Sequence, residues 1–275
     1  MARKDPTEAS LPAVQLWIAC PADLLDDEVA LACSAVLSED ERRRASRFHF
    51  DRHRREYLAT HALARVALAH NHPLAPAAWR FVSNPHGKPA ADPGCGLRFN
   101  LSNAQDLVVC MVARGAEVGV DVERIARAAE IVKLAPRVFS PAEQAQLAAL
   151  PAASQLDRAL SLWVLKEAYI KARGLGLSMP LKGFSFLFGG AEHLRLVVDP
   201  AYHPLLHDAA ARWRFSLLDH GRHRIALMVE TKPGASADEG AIANGAPLLE
   251  LWEARPPLGP ASRLPNGAME WFPRA

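Results

Sequence analysis

Cysteine is scarce in this chain: Cys20, Cys33, Cys95 and Cys110 are the four in 275 residues, and no two form a Cys-x-x-Cys pair. That is too few for a disulfide scaffold and wrongly spaced for a zinc site, which points to reduced thiols in a cytoplasmic protein. Long hydrophobic runs are also missing. The apolar stretch Leu11–Cys20 contains Pro12 and Gln15 and is too short to span a bilayer or serve as a signal peptide, so no membrane role is expected. An excess of one charge is absent too, with 32 Lys and Arg against 30 Asp and Glu, a formal charge of +2. This argues against a bulk polycation built for nucleic acid. The glycine signatures of P-loop and dinucleotide enzymes and the nucleophile elbow of α/β-hydrolases do not occur. There is no His-Glu-x-x-His among the 11 histidines, so His70 with His72, and His220 with His223, read as surface residues rather than metal ligands.

Half of the chain is hydrophobic and 23% is charged, ordinary values for a globular protein. The length fits one large or two modest domains. After a loose tail over residues 1–13, Val14–Ala19 reads as a strand. Ser38-Glu-Asp-Glu41 is a capping box that opens a basic helix running to about Phe48. A second helix is expected from Arg52 to Ala69, a strand at Trp79–Ser83, and a hairpin of Leu97–Ser102 with Leu107–Ala113. The same grammar restarts near residue 116. Val118–Glu123 is a strand, Ala128–Ala135 a weak helix, and Ser140-Pro-Ala-Glu143 a second capping box with proline at the favoured first position. A long helix should run from Ser154 to Arg173 and stop at Gly174. Strands follow at Phe184–Phe188, Leu194–Val198, Trp213–Leu218 and Ile225–Glu230. The pattern predicts an α+β protein of two similar α/β-sandwich-like halves, 14–115 and 116–231. The Pro/Gly/Ala-rich residues 232–275 read as a tail or surface wrap whose closing Met269–Phe272 docks back onto the body.

Two places carry acids where acids are costly. In Val118-Gly-Val-Asp-Val-Glu123, the valines share one face and Gly119, Asp121 and Glu123 the other. The two carboxylates are then roughly 7 Å apart, and like charges so close call for a cation or a basic side chain between them. Hard oxygen donors of this kind suit Mg²⁺, and the alternative is a solvated acidic face. In the long helix, Leu156, Leu160, Trp163, Val164 and Ile170 form an apolar stripe that includes Glu167, with Lys171 one turn on and Lys166 beside it. A carboxylate in such a stripe needs a partner or a metal; the alternative is a simple Glu167–Lys171 pair. A third feature is the run Glu41–Arg55, with seven arginines in fifteen residues. It suits phosphates, nucleic acid or an acidic protein face, or is a solvated helix face. Lys88 follows Gly87, a residue that lets backbone approach a ligand.

Phe99-Asn-Leu-Ser102, Gly119-Val-Asp-Val-Glu123 and Trp163-Val-Leu-Lys-Glu-Ala-Tyr-Ile-Lys171 occur in this order. Together they resemble the Sfp-type 4′-phosphopantetheinyl transferases over roughly residues 14–230. Ser140–Glu143, Gly174–Leu177 and Gly87-Lys-Pro89 follow the same family habit. The resemblance implies a pseudo-dimer with coenzyme A in the cleft between its halves. It implies transfer of the phosphopantetheine arm of coenzyme A to a serine of an apo acyl or peptidyl carrier protein, with release of adenosine 3′,5′-bisphosphate. It further implies Mg²⁺ on Asp121, Glu123 and Glu167, with Lys171 on the pyrophosphate and Glu167 as candidate base for the carrier serine. Asp121, Glu167 and Lys171 are thus the expected catalytic set. Arg44, Gly87, Lys88, Pro89, Ser102, Asn103, Asp121 and Lys171 are the expected coenzyme contacts, in a protein expected to be a monomer. The family usually carries histidine at position 103; asparagine cannot carry charge, so either a weaker phosphate contact or compensation by a nearby arginine is expected. The alternatives are a metal-dependent nuclease built on Asp121, Glu123 and Glu167, and a non-enzymatic nucleic-acid-binding module built on the arginine run.

Overall fold

The computed structural model describes residues 14–22, 27–92, 94–189, 194–202, 212–231, 249–254 and 262–263. The starting tail and Met269–Phe272 lie outside them.

Capping chemistry fixes the helices. Ser38 Oγ accepts from the Glu41 N–H and Glu41 Oε2 from the Ser38 N–H, which starts α2 (Glu39–Ala45). The same reciprocal pair, Ser140 with Glu143, starts α5 (Pro141–Ala148). Gly174, at φ +63°, ends α6 (Ala152–Arg173) in the left-handed conformation.

The first half runs β1 (Val14–Ala19), α1 (Asp27–Ala35), α2, α3 (Asp51–His70), β2 (Arg80–Ser83), β3 (Pro89–Asp92), β4 (Leu97–Ala104) and β5 (Leu107–Arg114). The second repeats that order as β6 (Val118–Arg124), α4 (Ala128–Val138), α5, α6, β7 (Phe184–Phe188), β8 (Leu194–Val198), β9 (Trp213–His220) and β10 (His223–Glu230). Register repeats as well. Val14 stands opposite Ala113 and Val118 opposite Val229; Leu97 stands opposite Arg114 and Trp213 opposite Glu230.

Each half locks its helices with one buried ion pair. Arg65 of α3 donates to Glu41 Oε2 and to the Trp79 carbonyl. Lys166 of α6 donates to both Glu143 oxygens and to the Phe184 carbonyl. The capping glutamate thus serves two purposes, and every nitrogen of the buried cation is hydrogen-bonded, which is what makes its burial tolerable. Lys166 is 0% exposed, a strut rather than a flank of Glu167.

Three cores result. One packs α3 on β1, β4 and β5; another packs α4 and α6 on β7–β10. The third lies between the halves, where Leu16, Ile18, Val109 and Met111 meet Val118, Val120, Val122, Ile225 and Leu227. β4 and β6 run side by side without a backbone ladder. Asn100 Oδ1 accepts from the Val120 N–H and Ser102 Oγ from the Val122 N–H, so side chains bridge the seam.

The segment expected to be a wrap contributes structure. β11 (Leu249–Glu253) pairs parallel to β1 and carries β12 (Ser262–Arg263) on its far edge. Leu156, expected in the apolar stripe of α6, is 41% exposed, because the stripe begins one turn later at Leu160. The four thiols are free. Among the described residues no helix is long and apolar enough to cross a membrane.

Candidate active site

Gly119 sets the geometry. A Cβ there would lie 2.1 Å from the Ala168 carbonyl oxygen and 2.5 Å from the Ala172 nitrogen. The glycine therefore lets the backbone of α6 press onto β6, rather than leaving open space beside the acids. That approach places Lys171 of α6 over Asp121 of β6. The Lys171 ammonium donates to Asp121 Oδ1 at 2.7 Å and to Ser102 Oγ at 2.8 Å. Ser102 Oγ donates in turn to Asp121 Oδ1 at 3.0 Å. Lys171 thus pairs with Asp121, and the simple helix pair with Glu167 is not formed.

Asp121 is 5% exposed, and its second oxygen, Oδ2, is buried without a hydrogen-bond partner among the described residues. Glu123 is occupied: both oxygens accept from Arg127 Nη1 at 2.6 Å, and Oε1 also accepts from Trp163 Nε1 at 3.1 Å. Glu167 is half-buried. Burial, and then the carboxylate of Asp121, push its carboxyl up to about 6; Lys171 opposes this and Glu123 adds to it.

A cleft of about 620 Å³ opens here, lined by Ser102, Asn103, Gln105, Asp121, Glu123, Arg124, Arg127, Glu130 and Lys171 among others. Glu167 is not among the residues that line it. Arg124 and Arg127 are additions that sequence reasoning missed. Arg124 ends the acidic strand and Arg127 lies three residues on, and the alternation of signs there was the available signal.

The donor set suits a hard divalent cation. It has an orphaned carboxylate oxygen on Asp121 and a second acid, Glu167, whose ionisation the neighbouring carboxylates oppose. Mg²⁺ is commonly held by one or two carboxylates, waters and substrate phosphates. Among the described residues, however, no three acids, cysteines or histidines converge into a ready cage. Arg127 accounts for this on the side of Glu123. Asp121 and Glu167 are then the available donors, and Glu123 joins them only by releasing Arg127.

Lys88 is spent within the fold. Its three N–H bonds go to Glu117 Oε2 at 2.7 Å, the Ala172 carbonyl at 2.7 Å and the Val118 carbonyl at 3.2 Å. No donor is left for a phosphate. Burial holds its pKa below the usual lysine value, with Glu117 opposing. Gly87, at φ +87°, closes the turn from Asn84, and Asn84 Nδ2 donates to the Gly174 carbonyl. Gly87, Lys88 and the following Pro89 at the start of β3 therefore fasten the first half to the end of α6. None of the three lines the cleft. Arg44 is also outside it, exposed on α2 with its guanidinium 5.8 Å from the Tyr57 ring centroid.

The repeat shows what fills the equivalent place in the first half. The position on β1 that corresponds to Asp121 holds Trp17, opposite Cys110 as Asp121 is opposite Ala226. The α3 counterpart of Lys171, five residues after the buried cation, is His70. Trp252 of β11 stacks on Trp17, with ring centroids 5.3 Å apart, and lies 4.6 Å from the His70 ring. The second half-site is thus aromatic and filled by the chain itself.

A family profile described as the 4′-phosphopantetheinyl transferase superfamily matches residues 117–228. The 4′-phosphopantetheinyl transferase HetI of Nostoc sp. is 33% identical over 172 residues, covering 62% of this chain and 72% of that protein. A 4′-phosphopantetheinyl transferase of Bacillus subtilis is 31% identical over 170 residues, covering 62% and 75%. Among solved structures, the holo-[acyl-carrier-protein] synthase of Thermotoga maritima is similar, at 26% identity and a TM-score of 0.34, over 42% of this chain and 64% of that one.

Proposed function

The chain belongs to the 4′-phosphopantetheinyl transferase superfamily, and we propose from this that it transfers the phosphopantetheine arm of coenzyme A to a serine hydroxyl of an apo carrier protein. The other product is adenosine 3′,5′-bisphosphate. Family membership displaces the nuclease and the nucleic-acid-binding module.

The observation that carries the chemistry is the Ser102–Asp121–Lys171 triangle with Glu167 beside it. In-line transfer of a phosphoryl group depends on positioning and on neutralising charge. Lys171 is positioned by two hydrogen bonds and presents its remaining N–H to a phosphate oxygen of the coenzyme. Asp121 and Glu167, with Glu123 after release from Arg127, would hold a divalent cation. When bound, Mg²⁺ supplies further neutralisation of the pyrophosphate. Glu167, with a carboxyl titrating near 6, is ionised at neutral pH and basic enough to take the proton of the carrier serine. Ser102 and Asn103 supply neutral polar contacts along the β4 wall. Arg44 is assigned to an outlying phosphate of the coenzyme or to an acidic face of the carrier, since it stands exposed outside the cleft.

The test is incubation of apo acyl and peptidyl carrier proteins with this protein, coenzyme A and Mg²⁺, read by intact mass. A gain of one phosphopantetheine on the carrier serine is expected. No gain on any carrier, with the protein folded, overturns the reading.

A further inference from the structure

The cleft holds three cations, and two of them are already neutralised. Lys171 faces Asp121 at 2.7 Å. Arg127 faces Glu123 at 2.6 Å and Glu130 at 3.4 Å. Arg124 has no acid within ion-pair distance among the described residues. One of its five N–H bonds is used, from Nη1 to Gln105 Oε1 at 2.7 Å, and its Nε is buried with no hydrogen-bond partner among the described residues.

This guanidinium is also held in place. Arg124 ends β6 directly opposite His223 on β10. His223, expected at the surface, is buried and donates from Nε2 to the Gln105 carbonyl at 2.8 Å, which fixes the turn between β4 and β5. The next residue, Ile125, donates its N–H to the Arg222 carbonyl at 2.8 Å. Both backbone and side chain of Arg124 are therefore anchored, while most of its donors are unspent. The facing wall offers no charge of its own, since Asn103 and Gln105 are neutral.

We propose that Arg124 binds the pyrophosphate of the coenzyme, as the unneutralised cation of the cleft. The inference rests on the proposed transferase reading and adds a residue to it. A guanidinium presents several donors in a fixed plane, which matches adjacent phosphate oxygens better than a single ammonium does. Lys171 sits at the Asp121 end of the cleft and Arg124 beside the β4–β5 turn. A pyrophosphate between them meets a cation on each side.

The experiment measures steady-state transfer by the full chain, wild type and Arg124→Gln, with coenzyme A and with 3′-dephospho-coenzyme A. Carrier KM is measured alongside. The expected result is a roughly 10- to 100-fold rise in KM for both coenzymes, the range of one charge-assisted hydrogen bond. Carrier KM and melting temperature stay unchanged, and Arg124→Lys recovers part of the loss. A defect that vanishes with the dephospho-coenzyme means that Arg124 reads the 3′-phosphate and overturns the proposal. So does a rise in carrier KM with coenzyme KM unchanged, or a lowered melting temperature with both unchanged. A wild type that performs no transfer overturns this inference together with the function it rests on; an active wild type with an unaffected Arg124→Gln variant overturns this inference alone.

Discussion

Replacing Glu167 with glutamine should make the metal-free protein more stable and leave the protein nearly inactive when Mg²⁺ is supplied. In the wild type this carboxyl is raised from 4.5 to about 6 by burial and by Asp121, with Glu123 adding to the effect. A raised folded-state value means that the group's contribution to stability is complete below about pH 4.5 and is lost as pH climbs through 6. Ionised Glu167 therefore costs about 2 kcal/mol above pH 7. Glutamine keeps the shape and removes the charge. At pH 7.5 in EDTA, Glu167→Gln should be stabilised by up to about 2 kcal/mol, a rise of roughly 4–8 °C in melting temperature. At pH 4 the two proteins should melt together. Turnover at pH 7.5 with Mg²⁺ should fall by roughly 10²- to 10⁴-fold, as for a lost general base. The assay is paired: thermal melts across pH in EDTA, and single-turnover transfer on the same preparations. A variant less stable at pH 7.5 with near-normal transfer refutes the reasoning, because that pattern belongs to a purely structural carboxylate.

Gly119→Ala should cost several kcal/mol and abolish transfer, since β6 and α6 must separate; a folded, active variant in a denaturant titration contradicts the close-approach role. Lys166→Ala should cost about 3–5 kcal/mol by stranding the buried Glu143 carboxylate, read as a drop in urea midpoint. Hydrogen bonds from His61 and the Ser38 N–H, together with Arg65, outweigh the effect of burial and hold the Glu41 carboxyl at about 2. Its contribution should persist above about pH 4.5 and disappear as pH falls toward 2, so Glu41→Gln should flatten that limb of the acid melt. Lys88→Met should lower stability by about 2 kcal/mol and leave KM for coenzyme A unchanged; a raised KM at unchanged stability would return Lys88 to the phosphate.

What was legible in the chain was whatever local chemistry encodes. The two capping boxes, the αL glycine after α6 and the alternation in β6 each depend on residues a few positions apart, and each formed where expected. Asp121 and Glu167 were visible for the same reason: a carboxylate breaks an apolar period. β11 was not legible, because it pairs with β1 from 235 residues away and is embedded in Pro/Gly/Ala-rich sequence. β3 begins with a proline and has four residues, too short for an alternation to show. The partners of Lys88 were not legible, because Gly-Lys in a loop looks the same whether the ammonium meets a ligand or the carbonyl of Ala172 at the end of α6. Glu143 and Lys166 were seen singly. Their pairing joins α5 to the middle of α6, and no periodicity reports it.

Asp121 is the pivot of the site: its Oδ1 is held by Lys171 and Ser102, and its Oδ2 has no hydrogen-bond partner among the described residues. The most direct measurement is the intact mass of an apo-carrier after incubation with coenzyme A and Mg²⁺, using wild type and Asp121→Ala in parallel. Wild type should add one phosphopantetheine to the carrier serine, and Asp121→Ala, folded by circular dichroism, should add almost none. Equal modification by both proteins at low Mg²⁺ would contradict the account.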